Sequence, residues 1–375
     1  MRSVAVDTLS PSMVVGRHIY SSHGQLLLGR GVTLTTDLIE RIKRVGIRQV
    51  FVDDPDTEGI ETEDAVPHEV RASAVGLVQD TFEHLCSQPN ISTMHLNADL
   101  FTSLAKDILD GLREHPRHVY NVISIKTYDE YTYQHSANVA ILAMILGRSM
   151  QLTEEELIHL GVGALLHDLG KIQIPLSILN KPGRLDPEEF VVMKQHARLG
   201  FDVLKKDWAI SPLSSNVALS HHERIDGTGY PAQRKGDEIH LYSKITAAAD
   251  IYDALTSDRP YRRPMSSDGA MRLLLQETYD RLDRTPVSVL SHSIAPYPIG
   301  FGALLSNRWA GIISQMNEDD PFLPTVRLMF GPGGFKIDRP CEFETARGGG
   351  VTIVEVTPDG SAENLARMAA AAKAA

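Results

Sequence analysis

Two adjacent histidines, His221 and His222, close the apolar run NVALSHH and lead at once into the glycine-punctuated turn ERIDGTGYP. A second pair, His167-Asp168, ends GVGALLHDLG, and Asp250 falls within the apolar run KITAAADIYDAL. His135 shares a stripe with Val139, Leu142 and Leu146, and His196 follows the helix-opening signal Asp186-Pro187-Glu188-Glu189. Imidazoles and carboxylates in such apolar surroundings are costly to bury unless they are hydrogen-bonded or hold a metal. Histidine content alone carries no argument, because ten of the fifteen histidines sit in no pattern.

Singly, each group has an ordinary structural reading. His135 reads as a hydrogen-bonded core residue, His167-Asp168 as a capped helix end closed by Gly170, His196 as surface or core, and Asp250 as the partner of a lysine or arginine. Together, such groups on successive helices of one bundle can converge on an interior point, which is how helical bundles build di-metal sites. A mixed nitrogen and oxygen donor set without thiolates suits iron, manganese or zinc rather than copper or calcium. An aspartate beside a histidine can bridge two ions while its neighbour ligates one, so a binuclear site is expected.

The elements that must position these groups follow from periodicity. Residues 1–52 mix short β-like runs (SMVV, QLLL, RQVFV) with a helical pattern in TDLIERIKRVGI, and predict a small α/β module. Residues 53–68, acidic and proline-bearing, suit a solvated linker. Residues 69–285 are helical in pattern, with Leu100, Leu104, Ile108 and Leu112 forming a second stripe. From 286 to 375 the runs VSVL, GALLSN, AGIISQ, TVRLMF and GVTIVEV predict a β-rich extension, ending in a frayed or disordered Ala-rich tail, LARMAAAAKAA. The fold class is mainly α, and no internal repeat is evident.

The chain has 375 residues, 42% hydrophobic and 23% charged, an ordinary composition for a soluble protein of two or three domains. Its net charge of −11 provides no global positive field, so DNA, RNA and anionic membranes are not expected partners. An anionic ligand would need a local cluster of arginine, lysine or metal. Cys86 and Cys341 form neither a disulfide framework nor a zinc pattern, which fits a reducing cytoplasm. The start MRSVAVDTLSPSM has no apolar signal core, and the run ANVAILAMILG falls short of the roughly 20 residues that span a bilayer. A cytoplasmic protein without a membrane anchor is expected.

The stretches DEYTYQHSANVAILA, LLHDLGKIQIP, ILNKPGRLDPEE, HARLG, HHERIDGTGYP and ITAAADIYDALTSDRPYR fall within a region of resemblance from roughly Val119 to Arg262. They resemble an HD-GYP domain, the bacterial cyclic di-GMP phosphodiesterase branch of the HD superfamily. The resemblance implies an HD-type helical bundle with His135, His167, Asp168, His196, His221, His222 and Asp250 as metal ligands. Asp168 would bridge two divalent ions, iron or manganese. Lys171 matches a lysine near the bridging hydroxide and the scissile phosphate. Arg224 and Tyr230 match ligand contacts on the GYP loop, Arg259 and Arg262 match phosphate contacts, and Gly229, with Gly227, gives the substrate loop its tight backbone. Pro231 limits the freedom of that loop, and Glu223 and Asp226 hold it. Some relatives place a glutamate four residues before the first histidine and bind a third ion. Here that position is Tyr131, and Glu130 lies about 100° away around a helix, so two ions are expected.

The activity implied is hydrolysis of cyclic di-GMP to pGpG, with a second cut to GMP left open, by a hydroxide held between the two metals. Three rivals stand beside it: a phosphohydrolase of mononucleotides or guanosine tetraphosphate, a catalytically silent cyclic di-GMP receptor, and a phosphodiesterase for another cyclic dinucleotide such as cyclic GMP-AMP. The flanks resemble domains that accompany HD-GYP domains, so residues 1–52 are the expected contact for a signalling partner. A homodimer is compatible with the sequence but not specified by it.

Overall fold

Every position from His135 to Gly147 is buried, so this segment has no solvent face and must lie at the centre of a bundle. The computed structural model describes residues 1–21, 26–87, 96–114, 119–120, 131–257, 264–277, 281–346, 348 and 350–371. Its N-terminal part contains β1 (Arg2–Ala5), β2 (Val14–Val15), β3 (Ile19–Tyr20), β4 (Leu26–Leu28), α1 (Thr36–Arg44) and β5 (Gln49–Asp53). The sheet order is β1-β5-β2, antiparallel, with Val4 opposite Val50, while β3 and β4 pair separately. Ile39 and Ile42 of α1 join Val4, Val15, Val50 and Val52 in a small core.

The helical body follows: α2 (His68–Cys86), α3 (Ala98–Glu114), α4 (Tyr131–Ser149), α5 (Glu154–Leu165), α6 (Leu176–Leu179), α7 (Pro187–Leu204), α8 (Pro212–Ser220), α9 (Leu241–Thr256), α10 (Ser267–Glu277) and α11 (Arg284–Ser293). Helix α4 packs against α2, α5, α9 and α11, and α8 packs against α5, α7 and α9. Capping residues fix where the key helices start. Thr153 and Glu156 form a reciprocal capping box on α5, and Asp186 and Glu189 do the same on α7, with Pro187 at its first position. Among the described residues no helix is long and apolar enough to cross a membrane.

At the C-terminal end, β6 (Gly302–Leu305), β7 (Ala310–Gln315), β8 (Thr325–Phe330), β9 (Lys336–Glu344) and β10 (Ile353–Thr357) form an antiparallel sheet of order β10-β6-β7-β8-β9. Helix α12 (Ala362–Ala371) lies against β6, β7 and β8. The fold is mainly α, with a small α/β module before the bundle and a β-rich extension after it, as expected.

Three local expectations need correction. The acidic segment 53–68 is not a solvated linker: Ile60, Ala65 and Val66 are buried, and its polar groups have partners distant in sequence. Lys336 pairs with Asp56 at 2.6 Å, Arg327 donates to the Glu58 carbonyl at 2.6 Å, and Arg17 pairs with Asp64. Second, VSVL is not a strand. It lies in α11, which Asp283 caps by accepting from the Thr285 amide at 3.0 Å, and this helix packs on α4 and α9. Four apolar or small residues cannot distinguish a strand from a helix turn by periodicity alone. Third, the Ala-rich segment up to Ala371 is an ordered helix, because Leu365, Met368 and Ala369 are buried against the sheet. Residues 372–375 lie outside the described residues.

Candidate metal centre

The helix order brings the sequence-selected groups to one interior point. His135 comes from the first turns of α4, His167 and Asp168 from the end of α5, His196 from α7, His221 and His222 from the end of α8, and Asp250 from α9. Gly170 sets the spacing. A Cβ there would lie 1.9 Å from the His196 carbonyl oxygen and 2.5 Å from the Gly200 amide, so only glycine lets the 3-10 turn Leu169–Gln173 close on α7. That contact holds Asp168 and Lys171 beside His196.

Hydrogen bonds then fix which nitrogen of three of the rings faces inward. Nδ1 of His167 donates to the Ala164 carbonyl at 2.7 Å, and Nδ1 of His196 to Met193 at 2.7 Å. Nδ1 of His221 lies 3.0 Å from the Ala218 carbonyl. Carbonyl oxygens only accept, so each of these rings carries its proton on Nδ1 and turns an Nε2 lone pair to the centre. The Nε2 atoms of His196 and His221 approach to 3.4 Å, two lone pairs facing each other. A proton or a metal ion held between them relieves this contact. The Nε2 of His167 is buried without a hydrogen-bond partner among the described residues.

Asp168 divides its two oxygens. Oδ2 lies 3.3 Å from His167 Nε2 and 3.8 Å from His135 Nε2, whereas Oδ1 lies 3.6 Å from His196 Nε2 and 3.9 Å from His221 Nε2. The ligand atoms fall into two groups on the same division, Asp168 with His196, His221 and His222, and His135 with His167 and Asp250. Within each group all atoms lie within 4.8 Å of one another. These donors, nearly all withdrawn from solvent, fit a pair of divalent ions.

Electrostatics point the same way. Burial, with His167 and His196 adding positive repulsion, pushes His221 down to about 3, and burial with His221 beside it holds His222 well below the ordinary histidine value. Both rings stay neutral and keep the lone pairs that ligation requires. Burial opposes the ionised form of Asp168, yet Lys171 and His167 more than reverse this and keep its carboxyl well below the usual range. Burial also works against a charged His135, but its hydrogen bonds to Asp250 and Asp253 raise it to about 9. An ion taking His135 Nε2 therefore displaces a proton.

Of the remaining sequence-selected residues, Lys171 and Tyr230 lie directly against this centre. Lys171 Nζ donates to Asp168 Oδ2 at 2.5 Å with its side chain about a quarter exposed, so it belongs to the site and not to a free helix end. Arg224 has a buried Nη1 without a hydrogen-bond partner among the described residues. The Tyr230 ring lies 4.7 Å from that of His222, centre to centre. Gly229 sits against the chain itself, since a Cβ there would be 2.3 Å from the Arg224 amide. Glu223 accepts from the Ala232 and Arg234 amides at 2.7 and 3.0 Å, and Asp226 accepts from the Thr228 amide at 2.8 Å; both hold the loop. Arg259, Arg262 and Glu130 lie outside the described residues.

Asp253 was missed by sequence reasoning. Its Oδ2 accepts from His135 Nδ1 at 2.8 Å and from Ser257 Oγ at 3.0 Å, and its Oδ1 accepts from Asn138 Nδ2 at 3.1 Å. It orients His135 as backbone carbonyls orient His167, His196 and His221. The signal was available: Asp253 stands three residues after Asp250, on the same face of the same apolar helix.

Residues 117–285 match a family model described as HD domain. The chain is 29% identical over 320 residues to a cyclic di-GMP phosphodiesterase of Pseudomonas aeruginosa, covering 78% of this chain and 76% of the relative. It is 43% identical over 145 residues to a cyclic di-GMP phosphodiesterase of Thermotoga maritima, covering 38% of this chain and 39% of the relative. A third relative, 3'3'-cGAMP-specific phosphodiesterase 3 of Vibrio cholerae serotype O1, is 36% identical over 170 residues, 45% of this chain and 36% of its own length. The chain thus spans about three quarters of the first and little more than a third of the other two.

Proposed function

We propose that this chain, which belongs to the HD domain family through residues 117–285, is a metal-dependent phosphodiesterase that opens cyclic di-GMP to pGpG, and that Asp168 would serve both of two divalent ions. The observation that carries the reading is the division of the Asp168 oxygens between two pairs of inward-facing Nε2 atoms. His135, His167 and Asp250 would hold one ion, and His196, His221 and His222 the other. Iron or manganese agrees with the donor set.

Ions bound there supply Lewis acidity and lower the pKa of water, which makes a nucleophile for an in-line attack on phosphorus. The protein's own part is to bind and to neutralise. Lys171 adds a positive charge beside Asp168 at the open edge of the centre, where charge builds on the phosphate oxygens. Arg224 offers an unsatisfied donor to a phosphate or base acceptor, and Tyr230 offers a ring face to a base. By their match to the family, Arg259 and Arg262 would contact phosphate, and the ribose 3′-oxygen leaves. Residues 1–52 form a regulatory module open to a signalling partner, and the cytoplasm is the setting.

The similarity to a relative named as 3'3'-cGAMP-specific favours a second reading, with that dinucleotide as substrate. A chromatographic comparison of cyclic di-GMP, 3'3'-cGAMP and guanosine tetraphosphate on metal-loaded protein separates the readings. The largest kcat/KM is expected for cyclic di-GMP. A tenfold preference for either rival compound would reassign the substrate.

A further inference from the structure

The family match begins at residue 117, yet a side chain from before it reaches toward the centre. Arg71, in the first turn of α2, donates from Nη1 to Asn138 Oδ1. Asn138 Nδ2 then donates to Asp253 Oδ1 at 3.1 Å, and Asp253 Oδ2 takes the His135 Nδ1 proton at 2.8 Å. The donor logic runs one way along this chain. A carboxylate only accepts, so Asn138 must turn its NH2 to Asp253 and leave its carbonyl toward α2. Arginine, which only donates, is the complement of that carbonyl.

The start of α2 is held as well. His68, one turn before Arg71, stacks on Tyr20 of β3 with ring centres 3.4 Å apart, and Asp64, just ahead of the helix, pairs with Arg17. Arg71 is therefore fixed from the N-terminal module on one side and aimed at Asn138 on the other.

We infer that Arg71 is a positioning residue for the metal centre, which fixes the Asn138 amide and the Asp253 carboxylate and, through them, the tautomer and orientation of the His135 ring. The inference rests on the ion-binding reading above but not on the identity of the substrate.

Mn2+ titration of the metal-stripped full chain, followed by calorimetry and by electron paramagnetic resonance, tests it. Arg71→Met is expected to weaken one of the two ions by tenfold to a hundredfold and to leave the other within threefold. Arg71→Lys, which keeps a donor and the charge, restores affinity to within threefold of wild type. Asn138→Leu reproduces the loss, and Arg71→Met adds nothing to it in the double variant, because the two side chains act in series. Should Arg71→Met not fold, Arg71→Gln replaces it in the same cycle. Unchanged Mn2+ affinity in Arg71→Met, or losses that multiply in the double variant, would overturn the inference alone. A wild-type chain that takes up no Mn2+ would overturn the ion-binding reading and this inference together.

Discussion

Asp168→Asn keeps the size of the side chain and removes one negative charge and one acceptor from the centre. At a separation of about 4 Å two unit charges interact by about 4 kcal/mol in an effective dielectric near 20, and a divalent ion doubles this, so at least about three decades in affinity are at stake. The loss should not be equal at the two subsites. Lys171 donates to Oδ2, so the amide keeps its carbonyl on that side and turns its NH2 toward His196 and His221, whose Nε2 atoms lie 3.6 and 3.9 Å from Oδ1. The ion held by His196, His221 and His222 is expected to leave first, and hydrolysis to fall to background. Metal quantification after dialysis against graded metal buffers reads the affinities, and far-UV circular dichroism checks the fold. Asp168→Asn that binds both ions within tenfold of wild type and turns over substrate would refute the bridging role.

Three further outcomes follow from the geometry. Lys171→Ala should lower kcat by roughly tenfold to a hundredfold with the metal content of wild type, on the scale of lost charge stabilisation; full turnover removes this lysine from the chemistry. Gly170→Ala, whose Cβ meets the His196 carbonyl at 1.9 Å, should cost about 1–3 kcal/mol or more and weaken ion binding; thermal unfolding at the wild-type temperature would contradict the close contact. Removing the ions with a chelator should lower the unfolding temperature, since ligand at a hundredfold over its Kd contributes about 2.7 kcal/mol; melting curves that ignore the chelator would argue against a built site.

The site was more legible in the sequence than the architecture around it. His167-Asp168, His221-His222 and Asp250 stand out because polar groups at the ends and centres of apolar helices need a reason to be there, and the fold brings all of them with His135 and His196 to one point. Asp253 escaped notice because a second carboxylate on an apolar helix reads as ordinary charge until its partner, on a helix 118 positions earlier, is known. Arg71 gives no local signal at all, since its meaning depends on the packing of α2 against α4. The same limit explains the acidic segment 53–68, whose partners Arg327, on the Glu58 carbonyl, and Lys336, on the Asp56 carboxylate, come from the far end of the chain. Short apolar runs fail differently: VSVL carries strand-like residues, but the cap at Asp283 and the packing on α4 and α9 make it a helix.

The central claim is that two ions on this carboxylate and imidazole cluster cut a cyclic dinucleotide. The most direct measurement purifies the full chain without oxygen, loads it with iron or manganese, and reads ions per chain and products from cyclic di-GMP in the same sample. Two ions per chain and conversion to pGpG, abolished by chelation, are predicted. Cyclic di-GMP bound but unaltered by fully loaded protein, or three ions per chain, would contradict the account.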